Sequence, residues 1–142
     1  PVSMKRCVVK LQEKDKEKKQ KRWNSISEVA AKQCGRNKIP LIDKVTKISE
    51  ISNKIKEYDI FLIAYENEKE ITLKQCLKQI RKEYQNDNIK IGVLVGPEGG
   101  IAPEEIKILQ DNGAITMSLG KRILRTETVA LNVLSIIMYE LE

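Results

Sequence analysis

Short apolar runs recur along this chain, and segments with helical spacing separate them. The most apolar run is DIFLIAY at residues 59–65, and residues 89–95 and 114–119 are two more. Strands that are apolar throughout, rather than alternating with polar residues, are typical of a parallel sheet that is covered on both faces. The sequence therefore predicts an α/β domain with a mainly parallel sheet and helices on both faces.

The segments between these runs place apolar residues three or four positions apart, as on one face of a helix. A fourth, irregular or edge strand is predicted at 37–42, because Pro40 cannot donate a backbone hydrogen bond. Residues 5–11 are predicted to be extended. The predicted helices are 15–34, 47–56, 71–84, 103–112 and 125–141, with Gly35 and Gly113 suited to end two of them.

A glycine-rich turn, GPEGG at 96–100, follows the strand at 89–95. Pro103 and two glutamates come next, as at the first turn of a helix. In open parallel sheets, ligands lie beyond the carboxyl ends of the strands, where a helix start offers backbone N–H groups. The turn therefore predicts a small-molecule site, although a tight strand-to-helix connection without a ligand has the same pattern.

The residues of this turn narrow the kind of ligand. Ile101 and Ala102 stand where a phosphate-binding P-loop requires glycine and lysine, and the glycine spacing does not match the dinucleotide pattern. Glu98 would repel a polyphosphate. A ligand with cationic, adenine or hydroxyl groups is favoured instead.

A second glycine turn follows the last strand in the sequence SLGKRILRTET, at residues 118–128. Gly120 allows a close backbone approach, and three cations follow within five residues. Thr126 or Thr128 is predicted to cap the final helix, with Glu127 in its first turn. The cations are either surface charges beside a capped helix or part of a site next to the first turn.

Composition limits the chemistry. The 142 residues suffice for one domain, and the net charge of +6 favours an anionic partner, nucleic acid foremost, although a lysine-rich surface without such a partner has the same charge. The chain has no histidine, and its three cysteines form no C-x-x-C pair. These counts argue against zinc sites, disulfide frameworks and histidine-activated nucleophiles. We expect a cytoplasmic protein with no metal and no membrane span.

Three motifs together carry a resemblance to a known family. They are EVAAKQCGR at 28–36, GPEGGIAPEE at 96–105 and SLGKRILRTETVA at 118–130. In this order and spacing they closely resemble the RsmE-type 16S ribosomal RNA methyltransferases of the SPOUT superfamily. Val129 stands where that family often has alanine.

The resemblance implies transfer of a methyl group from S-adenosylmethionine to N3 of a uridine in 16S rRNA of the small ribosomal subunit. It also implies a SPOUT fold with a C-terminal deep trefoil knot, and a homodimer formed by the first and last helices. The residues implied to line the cofactor are Val95, Gly96, Glu98, Gly99, Gly100, Leu119, Gly120, Ile123 and Leu124.

The reaction that the resemblance implies, in a chain without histidine, assigns roles to charged residues. Arg36 and Arg125 are expected to stabilise the uracil anion, Arg36 from the partner subunit as in related SPOUT enzymes. Glu127 either orients an arginine or accepts the proton, or only complements the dipole at the start of the last helix. Four further cations are expected to contact RNA phosphates: Lys5, Arg6, Lys121 and Arg122.

Family members usually carry an N-terminal PUA-like barrel. The resemblance therefore implies that residues 1–14 are a lead-in segment or linker from such a domain, and that 15–142 form the SPOUT methyltransferase domain. Three alternatives remain open: a SPOUT enzyme acting on tRNA or on ribose 2′-oxygen, an inactive RNA-binding fragment, and an unrelated nucleotide-binding α/β protein.

Overall fold

The computed structural model describes residues 1–84 and 88–141. Within them, strands and helices alternate along most of the chain. The strands are β1 (Val2–Ser3), β2 (Thr46–Lys47), β3 (Ile60–Ala64), β4 (Ile91–Val95) and β5 (Ile115–Met117). The helices are α1 (Glu13–Gln33), α2 (Ile48–Lys54), α3 (Leu73–Glu83), α4 (Pro103–Asp111) and α5 (Thr126–Leu141), and a 3-10 turn (Ile55–Glu57) follows α2.

The main sheet has three parallel strands in the order β4-β3-β5. Leu62 in the central strand β3 pairs with Val93 on one side and with Ile115 on the other. All three strands therefore end at the same edge. This arrangement confirms the predicted parallel sheet and brings the turns after β3, β4 and β5 to one place.

Helices cover both faces of this sheet, as predicted. Because successive side chains of a strand point to opposite faces, Phe61 and Ile63 join one core while Leu62 joins the other. The first core is closed by residues of α2 and α4, and the second by residues of α3 and α5. The fully buried side chains of β3 hold the two layers together.

Helix α1 lies outside both cores, since Ala31 is its one buried residue. The segment after it was predicted to contain a strand at 37–42, and this prediction is wrong. Side chains of α1 take the backbone groups that a strand would need: the Asn24 amide bonds both the N–H and the carbonyl of Ile42, and Ser27 donates to the carbonyl of Pro40.

A second, two-stranded parallel sheet was not predicted. Val2 and Ser3 pair with Thr46 and Lys47, which the sequence assigned to no strand. Two residues are too few to show a period, so the sequence carries no signal for these strands. Residues 5–11, predicted to be extended, form no strand.

Candidate functional site

The two glycine turns meet at the carboxyl edge of the main sheet. Gly96 follows β4, and α5 begins at Thr126, whose hydroxyl donates to the carbonyl of Gly96 at 3.4 Å. Neither predicted cap precedes the helix, because Thr126 is its first residue and Thr128 lies inside it. The Thr126 hydroxyl instead ties the start of α5 to the first glycine turn.

A cavity of about 570 Å³ opens between these turns. It contains a mixture of apolar side chains, backbone and charged groups. Its lining residues are Ala64, Glu66, Val95, Gly96, Pro97, Glu98, Ile123, Leu124, Arg125, Thr126, Glu127 and Val129.

A smaller cavity of about 120 Å³ adjoins the first on the side of the second glycine turn. Five residues line both cavities, which therefore form one continuous site: Ala64, Glu66, Ile123, Leu124 and Val129. The remaining lining residues of the smaller cavity are Tyr65, Ser118, Leu119, Gly120, Lys121 and Arg122. Seven of the nine residues implied to bind cofactor thus line the site.

The other two, Gly99 and Gly100, line neither cavity. A Cβ at Gly99 would lie 3.1 Å from the carbonyl oxygen of Arg6, and a Cβ at Gly100 would overlap the Glu66 carboxylate. Gly100 also has a φ of +71°, which favours glycine. These two glycines let the turn pack against its neighbours.

Gly96 is restricted from within its own turn. A Cβ there would lie 2.7 Å from Cγ1 of Ile101, which is fully buried. The N–H of Gly100 donates to the carbonyl of Pro97 at 2.8 Å and closes the turn. The glycines therefore serve a compact turn whose outer backbone faces the cavity.

The start of the chain holds this turn and helix α4 in place. The Glu105 carboxylate accepts the N–H of Lys5 at 2.8 Å and that of Ala102 at 3.2 Å. The Arg6 guanidinium donates to the carbonyl of Gly99 at 3.2 Å. The Lys5 ammonium bonds Glu104 and holds the pKa of that carboxyl below its usual range.

These contacts place Lys5 and Arg6, predicted to bind RNA phosphate, beside the first glycine turn. The other two such residues, Lys121 and Arg122, are exposed on the wall of the smaller cavity. The structure therefore puts all four cations around one edge of the sheet.

Two of the three predicted catalytic residues line the larger cavity, and the third does not. Arg125 and Glu127 line the larger cavity at the start of α5, where the carbonyl of Arg125 accepts the N–H groups of Thr128 and Val129. Arg36 lies just after α1, is exposed and lines neither cavity. Among the described residues, one chain alone therefore presents a single arginine to the larger cavity.

Sequence reasoning missed Glu66, which lines both cavities. It lies two residues after the end of β3, with Tyr65 between them. An acidic residue just beyond the carboxyl end of a predicted parallel strand is the signal that could have found it.

The charges of the larger cavity limit what it can bind. Three carboxylates line it, those of Glu66, Glu98 and Glu127, against one guanidinium, that of Arg125. In a chain with a net charge of +6, this local acidity disfavours a polyphosphate. It suits a ligand that combines a positive charge, hydroxyl groups and an apolar ring.

Within residues 1–84 and 88–141, no three Cys, Asp or Glu side chains lie close enough together to bind a metal ion. In the same ranges, no helix has the length and apolar character needed to cross a membrane.

Comparisons with known proteins agree with this geometry. The family model for the RNA methyltransferase domain matches residues 1–138. The ribosomal RNA small subunit methyltransferase E of Bacillus subtilis is 33% identical over 142 residues, which are 100% of this chain and 55% of that protein.

Two solved structures with bound S-adenosylmethionine share the fold. A methyltransferase from Legionella pneumophila has a TM-score of 0.83 and 31% identity, covering 98% of this chain and 53% of that one. A ribosomal RNA small subunit methyltransferase E from Neisseria gonorrhoeae has a TM-score of 0.79 and 28% identity, with the same two coverages.

The chain spans about half the length of the relatives it matches. The match to the family model nevertheless covers almost all of it. The chain is similar to ribosomal RNA small subunit methyltransferase E proteins and belongs to the RNA methyltransferase domain family.

Proposed function

We propose that this chain is the catalytic part of an S-adenosylmethionine-dependent enzyme that methylates N3 of a uridine in 16S rRNA. The observation that carries the proposal is the continuous site between the two glycine turns at the end of a parallel sheet. Relatives of the matching type are named for methylation of small-subunit rRNA, and two similar structures hold S-adenosylmethionine.

The residues of the site fit this cofactor. Ala64, Leu119 and Leu124 offer apolar contacts to an adenine ring, and the glycine turns offer backbone groups. The carboxylates of the larger cavity suit the positive charges of the sulfonium and ammonium groups. Of the residues implied to line the cofactor, Gly99 and Gly100 act in this proposal by shaping the turn.

When bound, S-adenosylmethionine supplies an electrophilic methyl group, and the protein aligns and stabilises the nucleophile. Arg125 stabilises the negative charge that develops on uracil as N3 loses its proton. Glu127, two residues later, orients this guanidinium or accepts the proton. No histidine is present to do so.

Arg36 completes the site from a second copy of the chain. It lies outside both cavities of its own chain, which is the support for an action across a homodimer. Exposed apolar side chains on α1 and α5 support such an interface: Ile26, Val29, Leu131, Leu134 and Tyr139.

The surrounding cations hold RNA of the small ribosomal subunit. Lys121 and Arg122 are exposed beside the smaller cavity, where they can reach phosphates of a bound strand. Lys5 and Arg6 lie behind the first glycine turn and can add to the same positive edge. The enzyme acts in the cytoplasm, where its substrate is.

A deep trefoil knot belongs to the same proposal. The chain leaves β5 on one side of β3 and starts α5 beside Gly96, at the end of β4 on the other side. Residues 118–125 therefore cross the end of β3. After β3, the N–H of Tyr65 donates to the carbonyl of Met117, and Ser118 exchanges backbone hydrogen bonds with Ile71 and Leu73. Such bonds are expected where one loop encloses another segment.

The domain division also stays part of the proposal. Residues 1–14 lead in from a PUA-like domain and pack through β1 and Lys5 against the methyltransferase domain, which residues 15–142 form. The support is that relatives of the same type are nearly twice as long as this chain.

The test is methylation of small ribosomal subunits that lack the modification, with S-adenosylmethionine labelled in the methyl group and the modified base identified by mass spectrometry. We expect label at N3 of one uridine. Label on a ribose oxygen or on tRNA would assign a different SPOUT activity. RNA binding without cofactor binding would identify an inactive RNA-binding fragment.

Variants test the assignment of the arginines. Arg36→Ala and Arg125→Ala should each reduce methyl transfer about a hundredfold or more, while Arg22→Ala on α1 should not. A mixture of the two variants should recover part of the activity, because mixed dimers contain one intact site. Full activity of either single variant would contradict its role.

A further inference from the structure

Glu66 occupies a place in the site that no other charged residue shares. It is the one charged member of the five residues that line both cavities, the other four being apolar. We infer that its carboxylate binds the ribose hydroxyls of the nucleoside ligand and so fixes where the ligand passes from one cavity to the other. This inference rests on the proposed function.

The carboxylate is available for a ligand. Within residues 1–84 and 88–141, the Glu66 side chain makes no salt bridge and no hydrogen bond, and it is exposed. By contrast, Glu68, two residues later, accepts three hydrogen bonds from within the chain. Glu66 therefore keeps its full acceptor capacity, and a carboxylate can accept from two neighbouring hydroxyls at once.

The first glycine turn makes room for this side chain. A Cβ at Gly100 would overlap the Glu66 carboxylate, so a glycine at this position leaves the space that the carboxylate occupies. The backbone between β3 and Glu66 is also fixed, since the N–H of Tyr65 donates to the carbonyl of Met117 in β5 at 3.1 Å. The carboxylate thus lies against the first glycine turn, and the backbone just before Glu66 is fixed beside β5.

The sizes of the cavities indicate which part of the ligand reaches Glu66. The cavity of about 120 Å³ suits a flat base, and the one of about 570 Å³, with Arg125 in its wall, suits an amino-acid chain and the incoming nucleotide. In S-adenosylmethionine the ribose joins these two parts. Ribose therefore falls at the junction, where Glu66 is the one of the five shared residues whose side chain can accept hydrogen bonds from a diol.

Calorimetry on the 142-residue chain tests this with three probes. S-adenosylhomocysteine has both a ribose diol and an ammonium group, 5′-methylthioadenosine has the diol but no ammonium, and the 2′,3′-dideoxy analogue of S-adenosylhomocysteine has the ammonium but no diol. Glu66→Gln should lower the affinity for the first two probes about tenfold, as for the loss of a hydrogen bond to a charged group. Its affinity for the third probe should be unchanged. Glu70→Gln, an exposed carboxylate outside both cavities, is the control.

Other outcomes contradict the inference. Loss of affinity for S-adenosylhomocysteine but not for 5′-methylthioadenosine would place Glu66 at the ammonium group. Unchanged affinity for all three probes would remove Glu66 from the site. If the unaltered chain binds none of the probes although it is folded, the proposed function itself fails, which separates the two failures.

Discussion

Glu105 joins parts of the chain that are 100 residues apart. It is 8% exposed, and its two oxygens accept the N–H groups of Lys5 and Ala102. The first of these bonds holds the start of the chain, and the second completes the first turn of α4. A buried carboxylate with both oxygens occupied leaves little tolerance for substitution.

Glu105→Gln should lower the free energy of unfolding by about 1–3 kcal/mol, because an amide replaces one acceptor by a donor that faces an N–H group. Glu104→Gln is the matched control: it removes an exposed pair with Lys5 and should change stability little. Urea unfolding of both variants measures the difference. Equal stability of the two variants would contradict this role of Glu105.

The pair of Glu68 and Thr116 should make stability depend on pH. The Thr116 hydroxyl donates to Glu68 at 2.7 Å and, with backbone N–H groups of the same loop, holds the pKa of Glu68 below its usual value. A carboxyl with a lowered pKa in the folded state stabilises the fold at neutral pH. This contribution is lost as the pH falls through the lowered pKa.

Thr116→Val should therefore destabilise the chain more at about pH 7 than at about pH 3, since its effect through Glu68 disappears once the carboxyl is protonated. Denaturant unfolding at both pH values measures this. Thr128→Val, at an exposed position of α5, should show no such pH dependence. The free energy of unfolding lost in Thr116→Val would then be compared at the two pH values. An equal loss at both would show that Glu68 is not involved.

At the scale of residues, the sequence predicted which residues lie near the site better than it predicted what each of them contacts. Gly96, Glu98, Ile123, Leu124 and Arg125 line the larger cavity, while their roles toward a ligand stay predictions. Gly99 and Gly100 do not line it, because a glycine motif shows that the backbone is close to something but not whether that is a ligand or another segment. Glu66 was missed because a single glutamate after a strand has no motif.

Among the elements, the two glycine turns set the shape of the site. Gly120 has a φ of +111° and Gly113, at the end of α4, a φ of +99°. A Cβ at either position would lie more than 4 Å from every other segment that the structure describes. Any cost of an alanine at these two positions is therefore backbone strain alone. They form a matched pair, since Gly120 lines the smaller cavity and Gly113 does not.

Gly120→Ala and Gly113→Ala should each lower the free energy of unfolding by about 1–2 kcal/mol through strain in this region of φ. Only Gly120→Ala should also lower the affinity for S-adenosylhomocysteine. Thermal unfolding and calorimetry on both variants separate the two effects. Equal affinities of the two variants would show that the second glycine turn does not contact the ligand.

The elements with a clear period were predicted to within a few residues, since packing against the sheet requires their apolar faces. The failures have a common cause. Side-chain hydrogen bonds from α1 replaced a strand at 37–42, and the two-residue strands β1 and β2 are formed by contacts distant in sequence. Neither kind of contact leaves a local pattern.

At the scale of the whole molecule, the parallel sheet and its two cores were predictable, while the deep trefoil knot is implied only by the resemblance and stays a prediction. Period and composition describe which residues are buried. They do not describe which loop passes over which, because threading leaves no trace in local burial.

The exposed apolar face of α5 provides a test of assembly. Leu134 is 55% exposed, and Leu131 is 73% exposed on the same helix. Leu134→Glu should turn the proposed dimer into a monomer in sedimentation velocity, because a charge would be buried at the interface. Ile108→Glu on α4, at a similar exposure of 43%, should leave the dimer intact. A monomer in the unaltered chain would refute the homodimer.

The residues that line the site are neighbours in space, although they are spread along the chain from residue 64 to residue 129. A molecule held there would fasten residues 118–125 to the ends of β3 and β4 and suppress their local opening. Amide hydrogen exchange in those residues should accordingly slow on occupancy, while exchange in α1 stays the same. The crossing segment would then report ligand binding without any label on the ligand.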